Sequence, residues 1–292
     1  MTDKDTFFKR ANELLDRLER ILPGDTNSPL FAQDSPSHCW RYHGRRRGLE
    51  PIRHISPVRL DDLQCVDRQK SRLEQNTRQF LAELPANNAL LWGPRGTGKS
   101  SLIKAVFNAF QKQHLNLIEV DRDHLRDLPC LCDSLYEQSG RFLLFCDDLS
   151  FEADDPAYKA LKVIMDGSMS QPPENVLIYA TSNRRHLIPE YMQENRDSAM
   201  VDGELHLSES LEEKLSLSER FGLWLSFHPF TQDQYLQIVH YWLEKLGAVP
   251  LQDQESLDKA ALKWALEHGS RSGRSANLFA RDWAGKQRLE HS

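Results

Sequence analysis

Leu90-Leu91-Trp92-Gly93-Pro94-Arg95-Gly96-Thr97-Gly98-Lys99-Ser100 is the stretch on which the reading of this 292-residue chain turns. Three apolar residues of a strand run into G-x-x-x-x-G-K-S, and a helical stretch over 99–113 follows. The glycines let the loop fold with its N–H groups pointing inward, forming an anion nest at a helix N-terminus. Lys99 would reach the β- and γ-phosphates of a nucleotide, and the Ser100 hydroxyl would hold Mg²⁺. Gly93, Pro94, Arg95, Gly96, Thr97, Gly98, Lys99, Ser100 and Ser101 are therefore the expected phosphate-binding residues, with ATP and Mg²⁺ as the expected ligands. An accidental glycine-rich turn would need neither the flanking strand nor the helix.

Short apolar runs recur around this loop, at 89–92, 115–120, 142–146, 176–181 and 223–227. Each is too short for a helix and carries little polarity, which suits strands buried on both faces of a parallel sheet. Helical stretches lie between them, near 99–113, 156–168 and 185–195. Five strands with intervening helices predict an α/β three-layer sandwich over 59–230 with a five-stranded parallel sheet. Beyond Pro229 only helical patterns appear, over 232–246, 255–267 and 273–290, predicting a small all-α lid over 231–292. At the other end, Phe7, Ala11, Leu14, Leu15, Leu18, Ile21 and Leu22 mark an amphipathic helix stopped by Pro23-Gly24. Residues 23–57 read as an irregular linker, so 1–58 form a helical and irregular extension.

Two further strand ends carry candidate chemistry. The apolar run 142–146 finishes in Asp147-Asp148. Asp147 is placed to hold Mg²⁺ with Ser100, and Asp148 to orient or deprotonate the attacking water; capping of the next turn is the bland alternative. The run 176–181 finishes in Thr181-Ser182-Asn183, where Asn183, or else Thr181, would reach the γ-phosphate or its water. An Asx-turn is the competing reading there.

With these motifs in order, residues 59–292 resemble an AAA+ module, the fold of replication initiators, helicase loaders and branch-migration motors. Asp61-Asp62-Leu63 with Val66-Asp67 resembles the segment that packs near adenine, with Cys65 where a glycine is usual. Ser218-Glu219-Arg220-Phe221-Gly222 is similar to the motif that delivers an arginine finger, which implies Arg220 at the neighbouring subunit's ATP and a homo-oligomer. Gly269-Ser270-Arg271-Ser272-Gly273-Arg274 is similar to the start of the sensor-2 helix, which implies Arg274 on the γ-phosphate, with Arg271 as the fallback. The usual second carboxylate is Glu, and Asp148 has the shorter reach. The whole chain also resembles a bacterial AAA+ family labelled a domain of unknown function. That likeness rests on Pro85-Ala86-Asn87-Asn88, Asp147-Asp148-Leu149-Ser150-Phe151-Glu152, the stretch from Ala180 to Glu190, and Arg220-Phe221-Gly222-Leu223-Trp224.

Composition limits the partners. The net charge of −6 is mild, but residues 1–58 carry 10 Lys/Arg against 8 Asp/Glu, leaving 27 against 35 for the rest. His38-Cys39-Trp40-Arg41-Tyr42-His43-Gly44-Arg45-Arg46-Arg47 mixes arginines with aromatics. Such a segment could grip nucleic acid, stay a solvated linker, or fold back onto acidic residues of the same chain. The acidic stretch between Asp202 and Glu219 reads as a solvated loop, or else as a partner contact. Five scattered cysteines, none in a C-x-x-C pair, imply reduced thiols, and Cys130 and Cys132 have no second ligand pair beside them. No signal-peptide pattern or membrane-spanning run is seen, so no membrane partner and a cytoplasmic location are expected. Three function classes follow: a DNA-directed motor or loader, a protein remodeller, and a slowly hydrolysing nucleotide switch.

Overall fold

The computed structural model describes residues 38–136, 138–151, 155–166, 173–183, 200–201, 204–205, 220–248 and 254–290. The expected helices over 4–22 and 185–195 lie outside them. The strands are β1 (Cys39–Tyr42), β2 (Leu49–Pro51), β3 (Ala89–Trp92), β4 (Leu115–Val120), β5 (Arg141–Cys146), β6 (Val176–Ser182), β7 (Met200–Val201), β8 (Glu204–Leu205) and β9 (Leu223–Ser226). The helices are α1 (Asp67–Leu81), α2 (Lys99–Phe110), α3 (Leu128–Tyr136), α4 (Pro156–Asp166), α5 (Gln232–Lys245), α6 (Gln254–Glu267) and α7 (Gly273–Glu290). β7 and β8 form a separate two-stranded pair; the other seven strands make one sheet, in the order β2-β1-β4-β5-β6-β3-β9.

Both faces of this sheet are buried, and each strand divides its side chains between them with a period of two. Ala89, Leu91, Leu143, Phe145, Leu177 and Tyr179 enter one apolar cluster, together with residues of α1, α2 and the C-terminal helices. Leu90, Phe142, Leu144, Cys146, Ile178 and Ala180 enter the other, with residues of α3 and α4. This two-sided burial is why the strands read as unbroken apolar runs. One polar anchor crosses the first layer: the Tyr179 hydroxyl, 0% exposed, meets Asn76 Nδ2 and Thr77 Oγ1 of α1, each at 2.9 Å. Burial pushes the Tyr179 phenol up to about 12, so it stays a neutral partner.

Among the described residues the sheet has seven strands, two more than expected, and the extra pair comes from the predicted linker. β1 pairs parallel with β4 and antiparallel with β2. Cys39, Trp40 and Tyr42 are buried one strand in from the edge of the sheet while Arg41 is exposed. Arg41 then pairs with its cross-strand neighbour Glu119 at 2.7 Å, and Arg45 pairs with Asp127 at 3.0 Å. Of the three readings of the basic segment, folding back onto the chain's own acids therefore describes these two arginines. The alternation was concealed because it lasts four residues and borders an arginine run. Its pairing partner, β4, is also distant in sequence.

β5, β6 and β3 are consecutive neighbours and parallel, so their C-terminal ends rise on one edge. Cys146 is level with Ala180, and Trp92 with Ser182. The residues that follow each strand are thereby brought to one place.

Candidate functional site

The loop after β3 is shaped by its glycines. Gly93 has φ +142°, and an added Cβ would lie 2.1 Å from the Phe227 carbonyl oxygen, so no side chain fits there. Its N–H donates to Ser182 O at 3.1 Å, tying the loop to the end of β6. Gly98, at φ +99°, is the N-cap of α2, and Thr97 closes the turn by donating to Pro94 O at 2.9 Å. Lys99 is 6% exposed, and its ammonium donates to Gly93 O at 2.7 Å, Pro94 O at 2.8 Å and Asn183 Oδ1 at 3.1 Å. Three acceptors use all three of its donors. Burial lowers the Lys99 pKa, against the opposing pull of Asp148 and Asp147.

Asp147 accepts on a single oxygen, Oδ1, from Ser100 Oγ and from Thr181 Oγ1, each at 2.6 Å. These short charge-assisted bonds hold the carboxylate between the start of α2 and the end of β6. A hydroxyl and a carboxylate are hard oxygen donors, suited to Mg²⁺ that also takes nucleotide phosphates and water. Among the described residues no cluster of three or more His, Cys, Asp or Glu is arranged for a metal, and all five cysteines are free thiols. One hydroxyl and one carboxylate leave the other positions of a six-coordinate cation to phosphate and water, so Ser100 and Asp147 fit a cation brought with its phosphates.

Asp148 stands in the left-handed region, at φ +53°, with its N–H donated to Thr181 Oγ1 at 2.9 Å. Asn183 Nδ2 donates to its Oδ1, and Arg95 lies 3.7 Å from its Oδ2. A non-glycine residue in that conformation is a source of local strain that recurs at functional sites. Asn183 thus bridges the buried lysine and the second carboxylate.

The C-terminal helices complete the pocket. Gly273 N–H donates to Gly96 O at 2.9 Å, and a Cβ on Gly96 would lie 2.8 Å from the Ser272 side chain. The loop and the start of α7 are therefore in contact. Arg274 lines the same pocket as Lys99, Ser100, Asp147, Asp148 and Asn183. Arg271 instead lines an apolar groove with Pro94, Leu262 and Leu266 on another side of the loop. A cleft of about 340 Å³ continues from the phosphate pocket, sharing Gly96, Gly98, Ser101 and Arg274 with it. Its walls include Val58, Leu63, Val66, Phe230, Ile238 and Trp242. Of these only Leu63 and Val66 belonged to the segment singled out in the sequence. The others carry no short-range signal, because they converge from separate elements.

Arg220 lies elsewhere. Phe221 is buried and Gly222 packs on Asn87, where an added Cβ would fall 2.3 Å from Asn87 Oδ1. Leu223 is level with Ala89, the first residue of β3, whereas the phosphate loop leaves its last. About 13 Å of strand separates the two levels. Arg220 is therefore on the opposite edge of the sheet from its own chain's phosphate pocket.

A phosphate loop after β3, acids after β5 and a polar residue after β6, with helices closing over the cleft, define an AAA+ P-loop ATPase fold. The chain belongs to the family described as "Protein of unknown function (DUF815)", which matches residues 34–287. It is 29% identical over 158 residues to the Arabidopsis thaliana protein named AAA-ATPase At4g30250, covering 50% of this chain and 26% of that protein. A second Arabidopsis thaliana protein, AAA-ATPase At3g50940, is 29% identical over 138 residues, covering 41% and 29%. The chain thus spans under a third of the length of these curated relatives. Among solved structures, the Aeropyrum pernix ORC1 protein in complex with DNA is similar at a TM-score of 0.53 and 18% identity, covering 78% of this chain and 65% of that one. A variant of Thermotoga maritima RuvB is similar at 0.50 and 16%, covering 78% and 64%. At such identities these two share the fold. No described helix is long and apolar enough to cross a membrane.

Proposed function

We propose that this chain binds ATP with Mg²⁺ and hydrolyses it, coupling the reaction to rearrangement of a macromolecular complex. One observation carries the reading: three adjacent parallel strands end in Gly93–Ser101, Asp147-Asp148 and Asn183, whose polar groups meet in one pocket. In it Lys99 exchanges loop carbonyls for β- and γ-phosphate oxygens, and the backbone N–H groups of the loop take the rest. Ser100 and Asp147 hold Mg²⁺, which supplies charge neutralisation on the phosphates. Asp148 accepts the proton of the attacking water, Asn183 orients that water, and Arg274 bears on the γ-phosphate from the lid over 231–292. Arg220 serves the neighbouring subunit's ATP in a homo-oligomer. Its place on the far edge of the sheet supports this, because it is remote from its own site.

The substrate reading is a DNA-containing complex in the cytoplasm. What supports it is the likeness to a protein solved with DNA and the exposed Arg46 and Arg47 in the turn between β1 and β2. A second reading, a switch that binds ATP and turns it over slowly, is favoured by Asp148 itself. Its carboxylate is short and already engaged by Asn183 and Arg95.

Binding and turnover of ATP by the wild type and by Lys99→Ala test the reading. The variant should stay folded and lose nucleotide binding, because the phosphates lose their main side-chain counter-charge. Wild-type affinity in Lys99→Ala, read by calorimetry, would remove the phosphate-site assignment.

A further inference from the structure

Asp62 is a buried carboxylate outside the phosphate pocket, and its partners come from two different parts of the chain. It ends a short 3-10 turn, Leu60–Asp62, and is 5% exposed. Its Oδ2 accepts the Arg59 N–H at 2.9 Å. Its Oδ1 accepts the Tyr241 hydroxyl at 2.7 Å and is ion-paired with the Lys245 ammonium. Tyr241 and Lys245 are four residues apart on α5 and so share one helix face. A buried charge is tolerated only when paired and hydrogen-bonded, and here three donors meet it. Burial pushes the Asp62 pKa upward, but Lys245, Tyr241 and the Arg59 N–H outweigh it and hold the carboxyl below its ordinary value. Burial, and then the bond to Asp62, pushes Tyr241 up to about 12, so it remains a donor.

What this clasp joins gives it a consequence. Asp62 and, just after it, Leu63, Gln64 and Val66 line one side of the cleft beside the phosphate pocket. Ile238 and Trp242, from the helix that carries Tyr241 and Lys245, also line it. The Lys245 ammonium lies 5.0 Å from the Trp242 ring centroid, so the cation that grips Asp62 also bears on a cleft wall. α5 packs along α7, the helix that starts at Gly273 beside Arg274.

We propose that Asp62, acting through Tyr241 and Lys245, is a positioning residue that holds the two walls of this cleft at the spacing that grips the nucleoside. The inference rests on reading the cleft and pocket together as the ATP site. Asp62 touches no phosphate. It sets the lid helix against the 58–66 segment, and its loss weakens the hold on base and ribose while leaving the phosphate machinery in place.

The test uses the full chain, with Tyr241→Phe, Lys245→Met and the double variant. ADP affinity, ATP KM and kcat, and thermal unfolding without nucleotide are the readouts. Removing hydrogen bonds to a charged group should raise the ADP Kd and the ATP KM about tenfold in the double variant, with kcat at saturation changing far less. Lys245→Arg, which keeps a cation in reach of Asp62, should restore most of the affinity. Tyr241→Phe alone, a mild change at a half-buried position, carries the test where the double variant unfolds, with a severalfold rise expected. Unchanged ADP affinity in folded clasp variants of a wild type that binds overturns the clasp alone. So does a fall in kcat with KM standing. A wild type that binds neither ADP nor ATP overturns the ATP-site reading, and the clasp falls with it.

Discussion

The phosphate half of the cleft comes from three strand ends on one sheet edge, whereas the nucleoside half comes from elements scattered over the chain. In the first half Lys99, Ser100, Asp147, Thr181 and Asn183 hydrogen-bond to one another or to the loop. The geometry is set by strand register, by Gly93 and Gly96, where an added Cβ would clash, and by Gly98, whose φ is +99°. In the second half Val58, Leu63, Phe230 and Trp242 are held by packing between the core and the C-terminal helices, and by the Asp62 clasp. A half fixed by strand register and hydrogen bonds therefore faces a half whose spacing depends on how two layers are held together. Substitutions of Asp148 and Asn183 in the first half should alter rate, those of Lys99 and Asp147 the binding of phosphates and Mg²⁺, and those in the second half the affinity for the nucleoside.

Arg220 offers the largest test, since it asks whether one chain's phosphate half is complete. An arginine supplied in trans to a transferring phosphoryl group is worth about 10³–10⁵ in rate in GTPase comparisons. Arg220→Ala should bind ATP normally and lose turnover on that scale at every protein concentration. Mixing it with Lys99→Ala should restore part of the activity, because the second variant lends its intact arginine to the first one's site. Wild-type activity per subunit that is flat on dilution, with a mixture that stays dead, would make the phosphate half self-sufficient.

A smaller effect divides the two acids. Asp148→Asn should keep ATP affinity and slow hydrolysis by about 10²–10⁴-fold, the usual cost of losing a general base. Asp147→Asn should instead lose Mg²⁺-dependent affinity, because the weaker amide oxygen replaces the carboxylate beside Ser100. Nucleotide titrations with and without Mg²⁺, together with turnover, separate the two. Identical defects in both variants would break the division of roles.

The smallest effect lies beside the nucleoside half, between Gln64 and Val66 of its wall. Cys65 occupies the left-handed region, at φ +63°, in the place where the resemblance leads one to expect glycine. That conformation costs an L-residue about 1–2 kcal/mol, and the greater freedom of an unfolded glycine returns about 0.5–1 kcal/mol of it. Cys65→Gly should therefore stabilise the fold by about 1 kcal/mol or less, seen as a small rise in Tm. A fall in Tm would mean that the contact between the Cys65 thiol and Gln237 Oε1, at 3.4 Å, outweighs the strain.

How much of this was legible beforehand follows the same division. The runs at 89–92 and 115–120 match β3 and β4 residue for residue, and the other three core strands differ by one residue at an end. A strand buried on both faces admits few polar residues, so its composition alone marks it. The phosphate loop was legible for a related reason: each glycine answers to a backbone conformation or a close approach that a side chain forbids. Asp147, Asp148 and Asn183 stood out because each directly follows such a strand.

The remainder needed the folded chain. β1 and β2 were concealed because strands of four and three residues show too little alternation, and β1 joins the sheet through β4, far away in sequence. Arg271 and Arg274 could not be told apart from spacing alone, since which of them lines the pocket depends on where α7 begins against Gly96. Asp62 stood only as part of the segment whose resemblance places it near adenine, and its partners Tyr241 and Lys245 come from α5, far away in sequence. Motifs that meet a local backbone requirement are written in the sequence, because the requirement and the residues that meet it are adjacent. Side chains that converge across layers carry no such mark, and only the packing of sheet and helices determines which of them share a cleft.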